Sequence, residues 1–206
     1  MIGPGEIFTI FLVTLGPLKL LGPFAQRTRQ FDDAAARAIA VRAFAIATIA
    51  AVAGGFIGRA LAAKWGVSVP AMAITAGAIF FIVAIRQLLE QYEPAHASGT
   101  APPLPQSPGA AAIRLVFPIV LTPYGMATVI VALSASNEAA RSLTIVGLLV
   151  AVMLLNLLAM LFARKIMAGA TLVVLQLVGA VLAVLQVALA VQIIIFGLRD
   201  LGVIQR

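Results

Sequence analysis

One lysine and four prolines interrupt two long apolar stretches of the sequence. Pro17 and Pro23 flank Lys19 in the stretch TLGPLKLLGPF, and Pro118 and Pro123 lie in the stretch FPIVLTPYG. A proline removes a backbone donor and clashes with the preceding helical turn. In an apolar environment each backbone group left unpaired costs on the order of several kcal/mol. The freed groups must therefore be satisfied either by neighbouring helices or by a bound solute.

The composition places these stretches in a membrane. Of the 206 residues, 63% are hydrophobic and 10% are charged, whereas roughly a quarter of the residues of soluble domains are charged. Apolar runs of about 20 residues, long enough to cross a bilayer, recur six times. They span Ile7–Phe24, Ile39–Ala62, Pro70–Leu89, Ile113–Leu133, Leu143–Ala163 and Leu172–Leu198. The sequence predicts an all-α integral membrane protein with six transmembrane helices.

A proline-rich segment divides the six spans into two groups of three. Residues 93–109 contain five prolines among small polar residues and predict a linker between a first repeat, 1–92, and a second repeat, 110–206. Spans one and four carry their proline pairs at corresponding places, and spans three and six end in similar motifs at Arg86 and Arg199. Because each group has an odd number of spans, the two repeats are predicted to be inverted.

The basic residues indicate topology and do not indicate nucleic-acid binding. The net charge of +7 is spread over short segments that flank the spans. Eight basic residues lie on the side of the linker and five on the other side, which predicts that the linker is cytoplasmic and that both termini are periplasmic. The two groups are Arg27, Arg29, Arg37, Arg42, Arg86, Arg114, Arg164 and Lys165, against Arg59, Lys64, Arg141, Arg199 and Arg206.

The spans carry no residues suited to enzymatic chemistry. They contain no Asp, Glu or His, the chain has no cysteine, and its one histidine, His96, lies in the proline-rich segment. We therefore expect no catalytic residue, no metal site and no cofactor. Without a carboxylate in the bilayer to relay protons, coupling to Na⁺ is favoured over coupling to H⁺, and transport without a coupling ion is also open.

Lys19 has two interpretations. It lies past the centre of the first span on the side of Arg27, so its ammonium could extend to the cytoplasmic interface. Alternatively, it faces the interrupted backbone and acts as the counter-ion of a carboxylate or other anion. The sequence alone leaves both open.

The candidate substrate-binding residues surround the two interruptions. Asn156 and Gln186 join them because both are polar and near the middle of a span, although Asn and Gln also commonly link membrane helices by hydrogen bonds. The full set is Pro17, Lys19, Leu20, Gly22, Pro23, Pro118, Thr122, Pro123, Tyr124, Gly125, Asn156 and Gln186.

Small residues at Gly54 and Gly58 have the spacing that permits close approach of helices. We interpret this pair as a packing surface within the chain. It could alternatively mediate a homodimer.

Three segments resemble the MarC family of six-span prokaryotic membrane proteins. They are GVSVPAMAITAGAI from Gly66 with IRQL from Ile85, FPIVLTPYGMATVI from Phe117, and AVQIIIFGLR from Ala190. The family is grouped with LysE-like exporters and includes small neutral amino-acid transporters, so the resemblance implies a transporter in a prokaryotic inner membrane. Family members typically carry an asparagine where this chain has Lys19–Leu20, and glycines where it has Thr122 and Tyr124.

Two hypotheses from different classes follow. In the first, the chain is a secondary transporter of a small amino acid or similar carboxylate-bearing metabolite, bound near the midplane between the broken spans one and four. In the second, it is a membrane scaffold or accessory protein whose helices are merely kinked.

Overall fold

The computed structural model describes residues 3–90, 107–136, 138–169 and 172–204, and these residues form helices and short connections without strands. The eight helices are α1 (Pro4–Leu15), α2 (Leu21–Thr28), α3 (Asp33–Lys64), α4 (Val69–Glu90), α5 (Pro108–Leu115), α6 (Pro123–Ser134), α7 (Ala139–Gly169) and α8 (Leu172–Asp200). Within the described ranges, five segments are long and apolar enough to cross a membrane, and α5 with α6 forms a sixth if that bent pair counts as one. The protein is thus a multi-pass integral membrane protein.

Several helices extend beyond the predicted spans. Helix α3 has 32 residues and α7 has 31, so each is about 45 Å long and exceeds the roughly 30 Å hydrocarbon thickness. The predicted linker falls mostly outside the described residues. Its last part is helical, because α5 starts at Pro108 after Ser107, whose hydroxyl accepts a hydrogen bond from the Ala110 amide at 3.3 Å.

The helical path is interrupted twice. Helix α1 ends at Leu15, Gly16 is extended (φ −73°, ψ 175°), and a short 3₁₀ turn, Pro17–Leu20, leads into α2. Helix α5 ends at Leu115, and the segment Val116–Val120 that follows is kinked, because Phe117 (φ −118°, ψ 132°) and Pro118 have non-helical dihedral angles and are joined by a cis peptide bond. The chain then bends by 65° before α6 begins at Pro123.

Helices α3 and α7 form the centre of the protein. Helix α3 packs against α5, α6 and α7, while α7 packs against α1 and α2. A row of alanines three or four residues apart, from Ala36 to Ala51, is buried along α3. The glycines at 54, 55 and 58 bring α6 close, because a Cβ on Gly58 would lie 2.5 Å from the Ile130 side chain. The small-residue surface of α3 is therefore in contact with α6 of the same chain.

Helices α4 and α8 pack through a reciprocal pair of contacts. A Cβ on Gly77 would lie 2.7 Å from the Ile194 side chain, and a Cβ on Gly197 would lie 2.7 Å from the Ile74 side chain. Residue numbers rise along one helix as they fall along the other, so the two helices are antiparallel. Each glycine follows an isoleucine by three residues, so the same four-residue pattern is used on both sides.

We expect Gly77→Ala and Gly197→Ala to destabilise the protein to a similar degree. Each added methyl group would also approach opposing backbone, at 3.0 Å from the Ala190 carbonyl and 2.9 Å from the Pro70 carbonyl. Overpacking of this kind typically costs about 1–3 kcal/mol. The measurement is the thermal melting temperature in detergent, with Gly147→Ala as the control, because nothing lies within 4 Å of its added Cβ. A loss at one glycine and a gain at the other would contradict reciprocal packing.

Candidate functional site

The carbonyl end of α1 meets the amino end of α6. The Thr14 carbonyl accepts hydrogen bonds from the Lys19 ammonium and, at 3.3 Å, from the Thr122 hydroxyl. The next carbonyl, of Leu15, accepts a hydrogen bond from the Asn156 side-chain amide at 2.7 Å. These carbonyls belong to the last turn of α1, where no intrahelical donor follows. Three polar side chains from the turn after α1, from α6 and from α7 therefore satisfy them.

Threonine hydroxyls make further contacts between α1 and α6. Thr122 caps α6 by accepting a hydrogen bond from the Gly125 amide at 3.1 Å. The hydroxyls of Thr14 and Thr128 lie 3.3 Å apart, and all three threonines are buried. Gly125 permits this approach, because a Cβ there would lie 2.3 Å from the Leu15 side chain.

Lys19 is directed towards the interruption. Besides donating to the Thr14 carbonyl, its Nζ lies 5.3 Å from the centroid of the Tyr124 ring. That ring stacks on Phe80 of α4, with 4.6 Å between centroids and 14° between planes. Within the described part of the chain, no carboxylate lies within ion-pair distance of Lys19; the ion pair there joins Arg164 to Asp33. The ammonium is thus held by a carbonyl oxygen and an aromatic face.

Two buried polar atoms in the same region have no hydrogen-bond partner. They are the Tyr124 hydroxyl and Oδ1 of Asn156, on side chains that are each about 1% exposed. Thr122 and Gln87 are polar neighbours of the Tyr124 hydroxyl but do not meet it in hydrogen-bond geometry. A donor and an acceptor thus remain available beside the interruption.

The structure brings together five of the predicted site residues: Lys19, Thr122, Tyr124, Gly125 and Asn156. The remaining seven do not share the hydrogen bonds of this group. Leu20 is buried, Pro17, Gly22, Pro23 and Gln186 are half-buried, and Pro118 and Pro123 have exposed side chains.

Sequence reasoning left four contributing residues outside the predicted site: Thr14, Leu15, Thr128 and Phe80. Thr14 lies two residues before Gly16, where the first helical path is interrupted. Its position next to a helix-ending glycine was the available signal. Thr128 and Phe80 had no comparable signal, because they reach the site from α6 and α4 through tertiary packing.

The group is closed in this structure. Thr14 and Leu15 are fully buried, and Thr122 is 7% exposed. Two cavities lie away from this group. One of about 90 Å³ lies between α3 and α7 near Arg37 and Arg164. A larger one of about 540 Å³ lies near Arg59 and Ser142.

We expect Asn156→Leu to lower the stability of the protein. The change leaves the Leu15 carbonyl without its donor, and a buried group left unpaired in this way costs about 1–2 kcal/mol. Thermal melting in detergent measures the loss. Gln186→Leu is the control, because Gln186 has no hydrogen bond to the group although it is also a mid-span amide. Equal effects of the two substitutions would show that the Leu15 contact carries no special stabilisation.

The sequence matches a known family of membrane proteins over most of its length. A family model described as "MarC family integral membrane protein" matches residues 5–201. Searches of curated proteins and of solved structures gave no match.

Proposed function

Because the chain belongs to the MarC family of integral membrane proteins, we propose that it is a secondary transporter of a small amino acid or a similar carboxylate-bearing metabolite. The observation that carries the proposal is the meeting of two interrupted helices at Lys19. The carbonyl end of α1 has the negative end of a helix dipole, and the amino end of α6 has the positive end. A zwitterion can be bound between them, with its ammonium near the carbonyls and its carboxylate near Lys19 and the positive end of α6.

The packing supports two inverted repeats with two broken spans. In this proposal α1 and α2 form one span, and α5 and α6 form the equivalent span of the second repeat. Helix α3 packs against α5 and α6, and its counterpart α7 packs against α1 and α2. The antiparallel contacts between Ile74 and Gly197 and between Gly77 and Ile194 support this, because a two-fold axis in the membrane plane would produce such a reciprocal pair.

The contacts between α4 and α8 align the two repeats differently from the sequence motifs at Arg86 and Arg199. Gly77 becomes equivalent to Gly197, and Ile74 to Ile194, a difference of 120 residues in each case (197 − 77 and 194 − 74). Arg199 then corresponds to Ile79 and does not correspond to Arg86.

The closed arrangement is one state of the proposed cycle. Substrate entry requires the Thr14 carbonyl to separate from Thr122, and the Leu15 carbonyl to separate from Asn156. The substrate's own ammonium can replace those donors, and its carboxylate can accept from the unpartnered Tyr124 hydroxyl. In the opened state, hydrogen bonds to the substrate would replace those within the protein. This replacement would keep the opened and closed states comparable in free energy, as alternating access requires.

The remaining parts of the proposal concern location and assembly. We place the chain in the prokaryotic inner membrane, with the linker side cytoplasmic and both termini periplasmic, from the distribution of basic residues. We assign it no enzymatic activity and no nucleic-acid partner. The proposal requires neither a homodimer nor a particular coupling ion.

A scaffold or accessory role is the second candidate. It is favoured by the hydrogen bonds themselves, since the Thr14 and Leu15 carbonyls already have protein partners. In that case the interruptions would only shape the helices, and the group of polar side chains would stay closed.

Uptake into liposomes separates the two candidates. The purified protein is reconstituted and tested with labelled glycine, L-alanine, pyruvate and lactate, with protein-free liposomes as the control. We expect saturable uptake of at least one of these compounds, inhibited by an excess of the unlabelled compound. Uptake equal to that of protein-free liposomes for the whole panel would favour the scaffold.

A further inference from the structure

We propose that the Lys19 ammonium occupies a cation site of the protein. The site is built from the carbonyl end of α1 and the ring of Tyr124. In transporters with discontinuous helices, such carbonyls bind Na⁺ from solution. Here the side chain of Lys19 supplies the cation instead. One consequence is that transport does not require Na⁺, and this consequence rests on the proposed function. The cation site itself does not depend on the proposed function.

The oxygen atoms at this position are those that favour a cation. The last carbonyls of a helix have a partial negative charge, and carbonyls at the ends of discontinuous membrane helices coordinate Na⁺ in transporters. Here the Thr14 carbonyl accepts from the Lys19 ammonium. The Leu15 carbonyl follows it directly and is also buried.

The aromatic face completes the site. Nζ of Lys19 lies 5.3 Å from the centroid of the Tyr124 ring, within the range of a cation–π interaction. Stacking on Phe80 holds the ring in place. Because Tyr124 is about 1% exposed, water does not compete for this face.

The charge balance explains why Lys19 and a free cation exclude each other. The acidic residues whose side chains are described, Glu6, Asp32, Asp33, Glu138 and Asp200, lie at helix ends or in connections. No ion pair joins any of them to Lys19 in the described part of the chain. A second cation that brings no anion of its own would therefore meet an uncompensated positive charge, whereas the carboxylate of a zwitterion can pair with Lys19. Removal of the ammonium would instead leave the Thr14 carbonyl and the face of Tyr124 free to bind Na⁺ or methylammonium.

Thermal melting tests the site without any assumption about transport. The wild-type protein and Lys19→Met are melted in detergent with NaCl, methylammonium chloride or choline chloride at equal ionic strength. We expect Na⁺ or methylammonium to raise the melting temperature of Lys19→Met, by about 3 °C or more at a tenfold excess over its dissociation constant. We expect the wild type and the control Lys64→Met, whose lysine is exposed at the end of α3, to show no such rise.

Each outcome decides the proposal. If Lys19→Met unfolds on purification, recovery of folded protein by methylammonium supports the site, and no recovery with either cation overturns it. A wild type stabilised by Na⁺ as strongly as the variant also overturns it, and this measurement does not depend on the variant.

The coupling consequence is tested by wild-type uptake. We expect the rate to change less than twofold when Na⁺ is replaced by choline, and a tenfold or larger fall would overturn Na⁺ independence. If the wild type shows no uptake in either Na⁺ or choline solution, the proposed function is contradicted instead. The melting experiment then still tests whether the cation site exists.

Discussion

Lys19→Met is expected to reduce the initial rate of uptake at least tenfold when measured in choline solution. In our account the substrate carboxylate is bound by the Lys19 ammonium, which the structure directs towards the Thr14 carbonyl and the Tyr124 ring. A hydrogen bond to a charged group contributes about 1.5–3 kcal/mol, which corresponds to roughly 10- to 150-fold. Methionine has a similar volume, so the change removes the charge with little loss of packing.

Lys64→Met is the matched control for this prediction. It removes one positive charge from an exposed helix end, and its uptake should equal that of the wild type once both are normalised to protein inserted in the liposomes. Normal uptake by Lys19→Met in the absence of Na⁺ would remove Lys19 from the binding site. Equal losses in both variants would indicate a general effect of charge.

Gly16→Ala is expected to lower the melting temperature more than any other single glycine substitution discussed above. A Cβ at this position would lie 1.7 Å from the Leu12 carbonyl oxygen and 2.7 Å from its carbon. Backbone atoms cannot move aside as a side chain can, so the end of α1 must be displaced. The cost should reach or exceed the upper end of the roughly 1–3 kcal/mol of ordinary overpacking. It would also displace the carbonyls of Thr14 and Leu15.

Gly5→Ala provides the comparison within the same helix, because nothing lies within 4 Å of its added Cβ. Thermal melting and the yield of monodisperse protein measure both variants. We expect Gly5→Ala to match the wild type within about 0.5 kcal/mol, as surface changes usually do. A stable, fully folded Gly16→Ala protein would contradict the geometry described for the first interruption.

Hydropathy predicted where the helices lie, but it could not predict where they begin and end. Helix α3 starts at Asp33 because Asp32 caps it, with the Ala35 amide donating to its carboxylate at 2.7 Å. The predicted span begins only at Ile39, because the charged residues Asp33 and Arg37 lie among the alanines of the first turns of α3. The same reasoning explains why α7 extends past Ala163 to Gly169.

The prolines marked the regions of the interruptions without defining the interruptions themselves. The first path stops at Gly16, and Pro17 begins the turn that follows. The second is already non-helical at Phe117 and Pro118, and Pro123 begins α6 after Thr122. Proline is well suited to a first helical position, where its missing donor is not needed. The polar contacts are therefore made by residues beside the prolines.

Lys19 and Tyr124 illustrate what a single sequence cannot reveal. Each differs from the typical family residue, and both belong to the predicted substrate site. About a hundred residues separate them, so no local pattern could indicate that the ammonium lies over the ring. The contact depends on how α1 and α6 pack, which depends in turn on small residues such as Gly125.

Substrate protection of a single cysteine tests the central claim most directly. The chain has no native cysteine, so Thr122→Cys places one thiol of similar size where α1 meets α6. Ser68→Cys, exposed between α3 and α4, is the control. In proteoliposomes we predict that a thiol reagent labels Thr122→Cys slowly, and that a transported compound such as L-alanine lowers its labelling rate severalfold without affecting Ser68→Cys. A Thr122→Cys thiol that is never labelled, or labelled at a rate unaffected by every compound of the panel, would contradict a substrate site between the two interruptions.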